Sequence, residues 1–143
     1  MSPEQNKDIA RRFYDSLNKG NLNIIDDLLT NDFIEHELLP IPVHGREGVK
    51  QFFTSFASAF PDGRFSPEAI YAEGDTVIAL IKVRGTQQGE LPGIPMVTGK
   101  PMDINAIDIF RFVDGKIAEH WGVADNLGML QQLGVIPAPG QPG

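Results

Sequence analysis

The chain has no cysteine among its 143 residues. That absence removes disulfides, thiolate nucleophiles and cysteine metal sites, and leaves the redox compartment unmarked. There is no run of lysine and arginine either, and the net charge is −7. Nucleic acid and anionic membrane surfaces are therefore excluded as expected partners, because both require clustered positive charge. No apolar stretch approaches membrane-spanning length, and Met1-Ser2-Pro3-Glu4-Gln5 is polar and acidic, unlike the start of a signal peptide. A cytoplasmic protein that does not engage a membrane is the expectation. The 3 histidines include no close-spaced pair, which argues against a zinc site, and no metal is expected. Neither a phosphate-binding glycine fingerprint nor a Gly-x-Ser-x-Gly elbow is present.

What the chain does have is 41% hydrophobic residues, enough for one domain with a sizeable core. That domain is expected over residues 1–136, with residues 137–143 a flexible Pro/Gly tail. Ser2, Pro3 and Gln5 form a helix start, Ile9, Phe13 and Leu17 supply its apolar face, and Gly20 stops it. A short helix over Leu22 to Leu29 precedes an extended segment, Asp32 to His36, and a loop with Pro40 and Pro42. Helical spacing returns at Val49, Phe52, Phe53, Phe56 and Phe60 and ends at Pro61-Asp62-Gly63. Strands follow over Phe65 to Ala72 and Thr76 to Gly85, then a loop from Gln87 to Lys100 suited to a rim or lid. A short helix from about Asn126 ends at Gly134, and Asp125 is read as its cap.

Two alternating runs flank Asp114-Gly115, a favoured pair for a type I′ hairpin. Counting outward sets Val113 against Lys116, Phe112 against Ile117, Phe110 against Glu119 and Asp108 against Trp121 on one face. The other face carries Ile107, Ile109, Arg111, Ala118, His120 and Gly122. A bulge would shift this pairing by one residue. Both faces are mostly apolar, so helices are expected on one side and a second subunit on the other. Helices first and then a mainly antiparallel sheet is an α+β order, in which a curved sheet around the N-terminal helices encloses a pocket.

This order of motifs resembles the SnoaL-like polyketide cyclases. The resemblance is carried by Arg12-Phe13-Tyr14, Asp32-Phe33-Ile34-Glu35-His36, His44-Gly45-Arg46-Glu47-Gly48-Val49, Phe60-Pro61-Asp62 and Arg84-Gly85-Thr86. Asp108-Ile109-Phe110-Arg111-Phe112, Asp114-Gly115-Lys116-Ile117, Glu119-His120-Trp121 and Gln131-Gln132-Leu133-Gly134 complete it, from about Lys7 to Gly134. It implies the cone-shaped α+β fold shared with nuclear transport factor and steroid isomerases, often dimeric, and an aldol-type ring closure on an ester-bearing polyketide without a cofactor. Many family members carry an acid after the tryptophan of Glu-His-Trp, whereas this chain has Gly122. Where the family often reads Gly-Thr-His, this chain has Gly85-Thr86-Gln87.

Removing a proton next to a carbonyl needs a carboxylate or imidazole, together with a donor for the enolate oxygen. Asp108 is the first candidate, as base or as protonated donor; the alternative is a carboxylate bonded to a neighbouring strand or paired with Arg111. His36 and His120 are the other proton-transfer candidates, each with a structural alternative, and His44 reads as a loop or capping residue. Tyr14 resembles the first-helix tyrosine that donates to the oxyanion in steroid isomerases; the alternative is a core aromatic beside Phe13. Tyr14, Phe56, Phe110 and Trp121 are the expected walls of a pocket for a small hydrophobic carbonyl compound. The residues support a cofactor-independent cyclase or isomerase, a non-catalytic binding domain for a small apolar ligand, or a dimerisation module without ligand.

Overall fold

The computed structural model describes residues 1–37, 39, 42–94 and 96–140. Pro40 of the expected Pro-rich loop, Pro95 of the 87–100 loop and residues 141–143 of the expected tail lie outside the described residues.

Helix α1 (Pro3–Lys19) starts in a capping box. Ser2 Oγ accepts from the Gln5 N–H at 3.1 Å, and Gln5 Oε1 accepts from the Ser2 N–H at 2.8 Å, so two otherwise orphaned donors are satisfied. Gly20, at φ 70°, closes the helix by donating to Leu17 O. The buried face of α1 carries Ile9, Ala10, Phe13 and Tyr14. A 3₁₀ turn (Leu22–Ile24) and helix α2 (Ile25–Leu28) follow, and then strand β1 (Leu29–Glu35). This strand begins earlier than the sequence predicts, because Leu29 pairs with Ile117 of a distant strand. Helix α3 (Gly45–Ala59) has His44 at its N-cap with no side-chain bond.

Strands β2 (Arg64–Glu73), β3 (Thr76–Thr86), β4 (Pro101–Val113) and β5 (Lys116–Ala124) precede helix α4 (Asn126–Gln132). Asp125 Oδ1 caps α4 by accepting from the Gly128 N–H at 2.9 Å. The sheet order is β1-β5-β4-β3-β2. Neighbours are antiparallel except β1, which runs parallel to β5. Val77, Ala79, Ile81 and Val83 of β3 and Met102, Ile104, Ala106, Phe110 and Phe112 of β4 are buried against the helices. Each of these valine, isoleucine, methionine and phenylalanine side chains taken from water contributes roughly 1.5–3 kcal/mol. Asn18 locks α1 to β2 from both sides: its amide donates to Phe65 O at 2.7 Å and accepts from the Phe65 N–H at 2.8 Å.

The β4–β5 hairpin turns at Asp114 and Gly115, whose φ values of 49° and 79° are both positive, as a type I′ turn requires. Val113 faces Lys116 and Phe112 faces Ile117, as the sequence predicts. The register then shifts, since the next pair is Arg111 with Glu119 and Ala118 is left without a partner. Phe110 therefore faces His120, Ile109 faces Trp121, and Asp108 faces Gly122. This bulge overturns the expected assignment of faces: His120 joins Asp108, and Trp121 points the other way. Its physical basis is the burial of two consecutive residues, Ile117 and Ala118, which strict alternation cannot achieve.

Gln87, which stands where the family often has a histidine, is fully buried and braces the 87–100 loop from within. Its Nε2 donates to Met96 O at 2.7 Å and to Gly89 O at 3.2 Å. Its Oε1 accepts from the Thr98 N–H at 3.2 Å and the Thr98 hydroxyl at 3.0 Å. Leu91, Pro92, Gly93 and Ile94 of the same loop line the cavity described next.

Candidate active site

Asp108 projects from β4 beneath the helices, and two other elements bring partners to it. Helix α1 brings Tyr14, whose phenol donates to Asp108 Oδ2 at 2.5 Å. Strand β5 brings His120, with Nε2 2.7 Å from Asp108 Oδ1 and Nδ1 2.5 Å from Glu35 Oε2. Glu35 reaches that point because parallel pairing of β1 and β5 sets it directly beside His120. A continuous hydrogen-bonded row results: Glu35, His120, Asp108, Tyr14.

A neutral imidazole carries one N–H, so it cannot donate to both carboxylates. Burial by itself would lower the His120 pKa, but the hydrogen bonds and charges of Asp108 and Glu35 outweigh it and raise the value to about 10. His120 is therefore an imidazolium at neutral pH. Burial, then the Asp108 charge and the hydrogen bond to it, hold the Tyr14 phenol well above its ordinary value, so Tyr14 remains a donor. Just past β1, Glu37 joins the group. Burial is the main cause that lifts its carboxyl to about 7; His120 opposes this, while Asp108 and Glu35 add to it.

These shifts predict a pH dependence of stability. His120 binds its proton more tightly folded than unfolded, so its contribution is full below about 6.5 and is lost as pH rises towards about 10. Glu37 resists ionisation in the folded state, so it subtracts stability as pH climbs from 4.5 to about 7 and adds no further loss above that. Urea unfolding of the wild type at pH 6, 8 and 10, beside His120→Gln, is expected to show the difference between the two shrinking towards alkaline pH. A constant difference would contradict the imidazolium assignment.

The row lies in the wall of a cavity of about 620 Å³, a size ordinary for a small-molecule site. Phe13, Phe53, Phe56, Phe65 and Phe110 form much of its lining, and its charged lining residues are Glu35, Glu37, Asp108 and His120. The structure thus brings together Asp108, Tyr14, Phe56 and Phe110, as the sequence predicts, with His120, a candidate that the simple register set on the opposite face. It does not bring His36 or Trp121 there. Their rings stack on each other, with centroids 4.7 Å apart. His36 Nε2 lies 3.4 Å from Glu119 Oε1, and Arg111 donates to Glu119 Oε2 at 2.6 Å. Arg111 is therefore engaged away from Asp108. The reason is alternation along the extended chain at the end of β1: Glu35 points inward, so His36, the next residue, points outward.

Glu35 and Glu37 are the residues that sequence reasoning passed over. Their signal was the Glu-His-Glu alternation at residues 35–37, which puts two acids on one side of an extended chain and the histidine on the other. Glu37, Asp108 and His120 each offer one ligand atom within 4.8 Å of the others, a mixed carboxylate and imidazole set that spacing along the chain does not reveal. A cation there would compete for His120, whose nitrogens already meet Glu35 and Asp108.

Residues 7–133 match the SnoaL-like polyketide cyclase family. Aklanonic acid methyl ester cyclase DauD of Streptomyces sp. (strain C5) is 30% identical over 137 residues, covering 94% of this chain and 83% of that protein. Nogalonic acid methyl ester cyclase of Streptomyces nogalater is 27% identical over 121 residues, covering 83% of this chain and 90% of that one. Among solved structures, TsrD from Streptomyces laurentii superposes with a TM-score of 0.85 at 28% identity, covering 95% of this chain and 99% of TsrD.

Proposed function

We propose that this chain, which belongs to the SnoaL-like polyketide cyclase family, catalyses a cofactor-independent, aldol-type ring closure on a polyketide ester held in its apolar cavity. One observation carries the reading: three of the charged groups that line the cavity, Glu35, His120 and Asp108, form one hydrogen-bonded row with Tyr14.

The reaction breaks one C–H bond next to a carbonyl and the π bond of the carbonyl that is attacked, and forms one C–C bond and one O–H bond. Substrate and product are isomers, so no co-reactant is needed. His120, held protonated between two carboxylates, is suited to give the proton to the oxygen that becomes the hydroxyl once that oxygen replaces a carboxylate at one of its two N–H groups. Tyr14 and His120 occupy both oxygens of Asp108 and so fix its orientation. The proton leaving carbon goes to a carboxylate of the same cluster. The aromatic walls exclude water and suit a flat conjugated substrate.

The test is incubation with a panel of polyketide methyl esters that includes aklanonic and nogalonic acid methyl esters, the compounds in the names of the two relatives. The expected result is an isomer of unchanged mass and altered chromatographic retention. Gly122, in place of an acid, favours a second reading, a non-catalytic binding domain. Binding of these esters without conversion, equal in wild type and Asp108→Asn, would decide for it.

We also infer that the protein is a homodimer joined through the outer face of the sheet. Ile107 pairs with Val123 and Ile109 with both Trp121 and Ile78. Val123 is 76% exposed and Ile107 47%, a costly arrangement for a face left in water. Light scattering is expected to give twice the chain mass, and Val123→Glu to halve it. A wild-type mass equal to one chain rejects the dimer.

A further inference from the structure

We propose that Glu37 is the catalytic base of this site, its carboxylate reaching across the bare backbone of Gly122 to take the proton from the substrate carbon that becomes the nucleophile. This rests on the ring-closure reading and names the carboxylate that reading requires.

The first support is space. Gly122 pairs with Asp108 on the cavity side of the sheet. A Cβ built on Gly122 would overlap Glu37 Oε1. The Glu37 carboxylate thus fills the volume that a side chain at position 122 would take, and glycine at that position is what admits it. Glycine removes one possible acid and makes room for another from a different strand end.

The second support is the state of the acids. Tyr14 and His120 take both oxygens of Asp108. Glu35 Oε2 receives the Glu37 N–H at 3.2 Å and lies against His120. Among the described residues, no hydrogen bond reaches the Glu37 carboxylate. Its lone pairs carry no donor, whereas Asp108 and Glu35 are each held by a hydrogen bond to His120. The third support is proximity, since Glu37, Asp108 and His120 place their polar atoms within 4.8 Å of one another. A carbonyl compound seated there meets the base and the His120 donor together. The raised carboxyl value of about 7 fits a base that is both substantially ionised and strong enough to accept near neutral pH.

The step balances simply. The C–H electron pair becomes the new C–C bond, the carbon's proton passes to Glu37, and the π pair of the attacked carbonyl moves to its oxygen, which takes a proton from His120. Return of the Glu37 proton to the imidazole, directly or through water, resets the site.

The experiment uses whichever methyl ester of the panel the wild type converts, with Glu37→Gln and Asp108→Asn run beside it. Glu37→Gln is expected to lower kcat by about 10²–10⁴-fold with KM little changed. In the wild type, kcat/KM should rise with pH through about 7 and fall through about 10; Glu37→Gln should lose the rising limb alone. Enzyme-dependent exchange of the ester's acidic C–H in deuterium oxide, above the spontaneous rate, should stop in the same variant. If Glu37→Gln retains wild-type kcat and the rising limb, Glu37 is not the base, while the ring-closure reading stands. If the wild type converts no ester of the panel, the ring-closure reading fails and this assignment fails with it.

Discussion

Asp108→Asn is expected to lower turnover of a convertible ester by about 10²–10⁴-fold, the range seen when a group that manages a transferred proton is disabled. Asparagine keeps the size of the side chain, so the far-UV circular dichroism spectrum should be unchanged. What it cannot keep is the pattern of acceptors. Asp108 receives the Tyr14 phenol on Oδ2 and faces His120 Nε2 with Oδ1. An amide presents an N–H to one of those two donors, and two donors facing each other repel. His120 also loses one of the two carboxylates that hold it protonated, so the alkaline limb of the activity profile should move to lower pH. Unchanged turnover with an unchanged limb would remove Asp108 from the mechanism.

Phe110→Ala is expected to cost about 3–5 kcal/mol of stability, a large share of the roughly 5–15 kcal/mol that a domain has in total. Phe110 is 1% exposed. Its ring centroid lies 5.8 Å from Phe13, 6.0 Å from Tyr14 and 5.2 Å from His120, so one side chain supports both α1 and the hydrogen-bonded row. Truncation opens a void beside the existing cavity and frees Tyr14 to leave Asp108. Urea unfolding measures the loss directly. A change within about 0.5 kcal/mol, the size typical of surface substitutions, would show that the cavity wall does not depend on this ring.

Much of the local structure was legible in the sequence because its causes are local. The capping box of Ser2 and Gln5, the stop at Gly20, the Asp114-Gly115 turn and the Asp125 cap each depend on residues a few positions apart. The register beyond the turn did not follow. One unpaired residue, Ala118, moves His120 to the Asp108 face and Trp121 to the other, and nothing local distinguishes a strand with that residue from one without it.

The sequence by itself determined the order of elements, the apolar character of the pocket walls, the family to which the motifs belong, and Asp108 as the centre of attention. Only the tertiary structure decided which groups surround Asp108. Glu35 arrives through parallel pairing with a strand 85 positions away, Tyr14 through a hydrogen bond spanning 94 positions, and Glu37 through the space left by Gly122. Such contacts arise from how whole elements pack, and packing sums many weak, non-local terms that no short stretch of residues carries. The glycine that looked like a missing acid is, in three dimensions, the opening through which another acid enters.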